Sequence, residues 1–222
     1  TLSDTRFDRI LEKVDSAINK PVIPRSFFAD DDFVLVAGST WEPDEDILIE
    51  SLERFEKLDQ KIRMIIVPHE PTEEHVSQLK IKLENSVLLS DILANIDEPQ
   101  KYKNKHIIVD SIGKLLSLYA NANAAYVGGA FGVGVHSLTE PAGYGIPVAC
   151  GPNCFNSPDT EELLSSDALT IIEDTDTFTD WLSSIMNNQE LCESIGERAT
   201  EYIHSHAGSA KIISDLIIRH EK

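Results

Sequence analysis

The chain has 222 residues, 41% of them hydrophobic, and carries 19 Lys and Arg against 38 Asp and Glu, a formal net charge of −19. That length and apolar content provide one large core or two small ones, and so acidic a surface repels nucleic acid and anionic lipid headgroups. No run of ~18 apolar residues reads as a membrane span, and the polar first twenty residues do not read as a signal peptide. Cys150, Cys154 and Cys192 lack the spacing of a disulfide framework or a zinc site and read as reduced thiols of a cytoplasmic protein.

From the start of the chain to Asn19, Phe7, Ile10, Leu11 and Val14 fall at helical spacing and predict an amphipathic helix, with Arg6 and Arg9 on its solvated face. Pro21 to Asp32 reads as a loop. Phe33 to Ala37 is a continuous apolar run, the mark of a central parallel strand. It ends in Gly38-Ser39-Thr40-Trp41-Glu42, ahead of a helix to about Leu58. Ser39 and Thr40 read either as helix caps or as part of a ligand loop, since ligands of open parallel sheets collect at the carboxyl ends of strands. Met64 to Val67 is the next strand, ending in Pro68-His69-Glu70-Pro71, and Thr72 to Leu83 a helix with acids in its first turn. His69, with an ordinary pKa of ~6.5, reads as a candidate for an anionic group or as a loop histidine bonded to backbone.

Ser86 to Ser90 predicts a short strand and Ile92 to Lys105 an irregular edge loop or hairpin. His106 to Val109 predicts another strand. Asp110 or Ser111 then caps a helix over Ile112 to Ala120. Ala124 to Val127 and Ile146 to Cys150 are strands, and between them lies the densest motif of the chain: Gly128-Gly129-Ala130-Phe131-Gly132-Val133-Gly134-Val135-His136-Ser137-Leu138-Thr139-Glu140-Pro141. Glycine lets backbone turn sharply and approach a ligand closely. A helix opening near Ser137 offers unsatisfied amides to an anion. Glu140 suits a diol such as a ribose better than a phosphate. No Lys or Arg occurs between Lys114 and Arg198, so an anion here falls to the amides of Gly129, Ala130, Gly132 and Gly134, the hydroxyl of Ser137 and His136. No Gly-Lys-Ser/Thr follows the glycines, which excludes a Walker loop. A helix at Thr160 to Ser165, a strand at Leu169 to Ile172, and closing helices over Thr177 to Asn187, Glu190 to His204 and Ser209 to Arg219 complete the pattern. Alternating strands and helices predict an α/β fold, a single Rossmann-like, doubly wound parallel sheet with helices on both faces. It is read as one domain over residues 1–222: a leading helix in 1–20, the sheet core over 33–172, and closing helices over 177–219.

Gly-Gly-Ala-Phe, then Val-His-Ser-Leu-Thr-Glu-Pro-Ala, resembles the donor-binding motif of the 3-deoxy-D-manno-octulosonic acid (Kdo) transferases, close to Gly-Gly-Ser…Gly-His-Asn-x-x-Glu-Pro-Ala. Ser137 stands where Asn is common. Ser3 to Arg9, Ser39-Thr40-x-Glu42, Pro68…Pro71 and Asp110-Ser111-Ile112-Gly113 are similar to further family segments. Trp41 replaces a His, and His69-Glu70 replaces an Arg-His pair. The resemblance covers the carboxyl half of a two-domain GT-B glycosyltransferase.

It implies donor binding of CMP-Kdo without a metal or cofactor. Glu140 would take the ribose, and the turn after Asp110 and Ser111 would lie against the base. Ser39, Thr40, Glu42 and His69 would be candidates near the sugar acid. It also implies a missing amino-terminal half that binds lipid A precursor and supplies the catalytic base. No catalytic residue is assigned to this chain. The parent enzyme is then expected on the cytoplasmic face of the inner membrane. A UDP-sugar GT-B enzyme and a non-catalytic nucleotide-binding domain are the alternatives.

Overall fold

The computed structural model describes residues 4–58, 60–210 and 212. Among these residues, seven strands form one all-parallel sheet: Phe33–Thr40 (β1), Ile62–Pro68 (β2), Ser86–Leu88 (β3), His106–Ile108 (β4), Ala124–Val127 (β5), Val148–Cys150 (β6) and Leu169–Ile171 (β7). Their order is β3-β4-β2-β1-β5-β6-β7. The central strands are apolar on both sides because both faces of the sheet are covered. Leu35 and Ala37 of β1 face the core beneath Glu42–Lys57 (α2), Glu73–Lys82 (α3) and Thr175–Met186 (α8), filled by Leu48, Leu52, Phe55, Leu79 and Phe178. Val34 and Val36 point the other way, into a core with Ile23, Phe27, Leu118 and Tyr119. On that side Arg6–Asn19 (α1), Thr139–Ala142 (α6), Thr160–Ser165 (α7) and Gln189–His206 (α9) cover β5, β6 and β7. The predicted doubly wound fold is therefore observed.

The strand order reverses between β1 and β5. The loops leaving these neighbours run to opposite faces and open a crevice at the carboxyl edge, the place where such sheets bind ligands.

Several elements differ from the sequence reading. Ile92 to Lys105 is not an irregular loop: a helix, Leu89–Ala94 (α4), and a 3-10 turn, Pro99–Tyr102, occupy the region. Leu89, Ile92 and Tyr102 bury themselves at sheet-core positions that too short a periodic run could not reveal. The helix expected over Ile112 to Ala120 is only Leu115–Leu118 (α5), followed by a 3-10 turn. It has no side-chain cap; Asp110 instead accepts from the amide and hydroxyl of Ser90 at the start of α4. Arg6 is not merely solvated. Its Nη2 donates to buried Asp159 at 2.5 Å, and the Tyr202 hydroxyl donates to the same oxygen, which fastens α1 to α7 and α9. The expected helix over Ser209 to Arg219 lies almost wholly outside the described residues. Among those residues, no helix is long and apolar enough to cross a membrane.

Candidate functional site

The site is built where β1 and β5 end side by side. A Cβ on Gly128 would stand 2.5 Å from the Ser39 carbonyl oxygen and 2.7 Å from the Thr40 Cα. Only glycine lets these strand ends come so close. On the β1 side the register slips between Gly38 and Thr40, and Ser39 takes a positive φ of 54°. That kink sends the Thr40 side chain inward while the chain enters α2.

Two adjacent acids at the start of α2, Asp44 and Glu45, are both 1% exposed. They hold the loops from beneath. Asp44 Oδ1 accepts from the Tyr126 hydroxyl at 2.7 Å, and its Oδ2 accepts from the amides of Gly129 and Trp41, each at 2.9 Å. One carboxylate thus joins the β1 loop, β5 and the glycine loop. Glu45 accepts from the Thr40 hydroxyl at 2.8 Å and pairs with His75 Nε2 of α3 at 2.8 Å. Partial burial of His75 opposes its ionisation, but the hydrogen bond and charge of Glu45 outweigh it, and its pKa is raised. Thr40, a candidate for ligand contact, is fully buried, with its hydroxyl committed to Glu45.

The glycine loop is braced from within. Gly129 donates to Asp44, and Gly132 and Gly134 both donate to the Gly129 carbonyl. Asn156 clamps Val135 from both sides, accepting its N–H and donating to its C=O, while Asn153 donates to the Gly132 carbonyl. Three glycine amides expected to cradle an anion are therefore already bonded. The reason is the tight turn itself: with Gly129 and Gly134 at positive φ, the Gly132 and Gly134 N–H groups meet the Gly129 carbonyl inside the loop, and the Gly129 N–H meets the Asp44 carboxylate beneath it. Among the described residues, no protein acceptor receives the amides of Ala130, Phe131, His136 or Ser137. The helix expected to open near Ser137 begins at Thr139 and lasts four residues, so its dipole is correspondingly slight. Ser137 is exposed, and its Oγ lies 3.3 Å from that of Thr139.

Over these braces three rings stack, one from each of three loops. Trp41 lies on His69 at 4.9 Å between centroids, and His69 lies on His136 at 4.3 Å with planes 20° apart. Burial lowers the His136 pKa and its neighbour His69 lowers it further, against the opposing charge of Asp44. Trp41 Nε1 and His136 Nε2 are shut off from solvent without a hydrogen-bond partner among the described residues.

Glu140 faces a different part of the same edge. It lines a cleft of ≈ 490 Å³ with Gly113 of the turn after β4, Leu115 and Ser117 of α5, Lys13 of α1 and Lys20 at the end of α1. Burial raises the Glu140 pKa, and the charge of Lys13 opposes that shift. The structure thus brings Glu140 together with the turn expected to meet a base. Asp110 supports that turn through Ser90, and Ser111 is half-buried beside it. Glu42 stands apart, in a shallow acidic groove with Glu70, Glu74 and His75. Sequence reading missed three contributors. Lys13 on α1 and Lys20 just past its end lie about 120 residues upstream of Glu140, and the helical phase of Lys13 beside Ile10 and Val14 was the only signal. Asp44 looked like one more acid in a helix first turn.

No protein-family model matches the chain. It is 24% identical to the 3-deoxy-D-manno-octulosonic acid transferase of Haemophilus influenzae over 95% of this chain and 48% of that protein. The corresponding enzyme of Chlamydophila psittaci is 31% identical over 62% of this chain and 31% of its own length. The chain spans about half the length, or less, of the curated relatives it matches. Among solved structures, the C-terminal CMP-Kdo binding domain of WaaA from Acinetobacter baumannii superposes with a TM-score of 0.67, at 21% identity, over 88% of this chain and 98% of that one. Anabaena HepE in complex with UDP and glucose superposes with a TM-score of 0.56 at 12% identity. The fold is that of one half of the GT-B architecture, and the resemblance first read around the glycine loop extends along nearly the whole chain.

Proposed function

We propose that this chain is the donor-binding half of a Kdo transferase. It would hold CMP-Kdo, while an amino-terminal half of the same polypeptide brings lipid A precursor and the catalytic base. The reaction would serve lipopolysaccharide synthesis at the cytoplasmic face of the inner membrane. The observation that carries the reading is the cleft that joins Glu140 to the Gly113–Leu115 turn and to Lys13 and Lys20. An ionised Glu140 accepts two hydrogen bonds from a ribose diol, and those donors offset what burial costs the carboxylate. Backbone of the Gly113–Leu115 turn offers donors and acceptors to a pyrimidine edge. The two lysines oppose the charge of a monophosphate as it departs, which is electrostatic stabilisation of a leaving group. Nothing in this chain is assigned the proton abstraction from the acceptor hydroxyl. The isolated chain is therefore expected to bind nucleotide without transferring sugar.

Calorimetric titration of the 222-residue chain with CMP and with UDP tests the reading. Binding of CMP in preference to UDP, lost in Glu140→Ala, supports it. Preference for UDP would instead favour a UDP-sugar enzyme of the same fold. No response to either nucleotide would count against this reading and against the nucleotide-binding alternatives alike.

A further inference from the structure

We propose that Trp41, His69 and His136 act as one anion-receiving element, in which the arrival of a carboxylate or phosphate oxygen draws a single proton onto the stacked imidazole pair. This rests on the reading of the chain as a donor-binding half and adds how the anionic part of the donor is received.

The edge around the stack lacks fixed positive charge. Segments 26–53, 64–79 and 115–197 contain no Lys or Arg. They include every loop that contributes to the stack: β1 to α2, β2 to α3, and β5 to α6. In those loops only histidine can become cationic at ordinary pH. His75 is already paired with Glu45, which leaves His69 and His136. The surrounding acids are numerous: Asp44 and Glu45 lie buried at the start of α2, and Glu42 and Glu70 are exposed. Lys13 and Lys20 line the separate cleft around Glu140. An anion placed at the stack without a compensating charge would meet a negative field, and a proton supplies that charge.

The geometry limits the uptake to one proton and selects its site. Two charged rings 4.3 Å apart repel, so the pair accepts one. His69 is exposed at its edge and lies on the face of Trp41. An indole face favours a cation. His136 lies against Gly129, where an added Cβ would stand 3.1 Å from its ring, and its burial favours the neutral form. His69 is therefore the cation, Trp41 its polarisable support and His136 its neutral backing. Both nitrogens of a protonated His69 are donors, which suits an oxyanion.

The test follows the His69 and His136 ring resonances of the 222-residue chain by NMR between pH 5 and 9. Spectra are taken without ligand, with saturating free Kdo as a carboxylate probe, and with saturating CMP as a phosphate probe. The expected result is an upward shift of the His69 titration midpoint with whichever probe carries the recognised oxygen, about one pH unit for a tenfold linkage. His69→Gln should abolish the pH dependence of that probe's affinity. His69→Arg should restore affinity and make it independent of pH, which a purely structural ring would not do. Binding of CMP with both midpoints unmoved by either probe overturns this inference and leaves the donor-half reading standing. Retention of the pH dependence in His69→Gln also overturns it. Failure of both probes to bind overturns both readings.

Discussion

Removal of the Asp44 carboxylate should cost this protein a large part of its stability, and the arrangement of its partners sets the size. In Asp44→Ala, three donors lose their acceptor at once: the buried Tyr126 hydroxyl and Gly129 amide, and the part-buried amide of Trp41. Each buried donor without a partner costs about 1–3 kcal/mol. Relief from burying a carboxylate and entry of water into the gap offset part of the sum, leaving a net loss of about 3–4 kcal/mol. Against a typical total of about 5–15 kcal/mol, that is substantial. Asp44→Asn separates charge from bonding. Its amide oxygen can receive both backbone N–H groups, and its amide nitrogen can donate to the Tyr126 oxygen, because a hydroxyl accepts as well as donates. Asp44→Asn leaves only the Tyr126 hydroxyl proton without an acceptor and should therefore lose about 1–2 kcal/mol, less than Asp44→Ala. Urea denaturation of the three proteins at one pH measures both differences. An Asp44→Ala variant as stable as the parent, or an Asp44→Asn variant as weak as Asp44→Ala, would refute the view that this residue braces three segments by hydrogen bonding.

Glu140→Gln should lower CMP affinity by about tenfold, the loss of a charge-assisted hydrogen bond, while leaving the melting temperature unchanged or higher. Burial raises the Glu140 pKa, so the ionised form costs stability above its folded pKa, and the neutral amide removes that cost; a lower melting temperature would count against it. His75 has a raised pKa through Glu45. The stability it contributes is fully present below its unfolded value of about 6.5 and is lost as pH rises through the higher folded value. Denaturation midpoints measured from pH 6 to 9 should show that loss in the parent and not in His75→Gln. Gly128→Ala should cost about 3 kcal/mol or more because its Cβ meets backbone that cannot step aside. Gly132→Ala, with only the Gly129 oxygen at 3.6 Å, should be nearly neutral by the same denaturation assay.

Local pattern made much of this protein legible. Phe33 to Ala37 and Met64 to Val67 are apolar without interruption, and only a sheet covered on both faces accommodates that. The strand-to-glycine transition at Val127 and Gly128 marked the loop at the switch point, and Glu140 stood out as a carboxylate following it. Less legible were the elements whose signal is short or supplied by distant partners. Leu89 to Ala94 offers too few turns for a helical period to declare itself. Asp110 sat where a helix cap is expected and instead bonds Ser90 across the edge.

The sequence by itself determined the strand–helix alternation, the position of the glycine turn and the absence of Lys and Arg around it, because each is a property of residues adjacent in the chain. Tertiary structure alone decided where the turn's amides point, that Asp44 anchors them, that Lys13 and Lys20 stand opposite Glu140, and that Trp41, His69 and His136 stack. The physical reason is that hydrogen-bond partners, ring contacts and burial are set by which segments the parallel sheet brings to one edge. These segments lie tens of residues apart, where no spacing along the chain records their meeting.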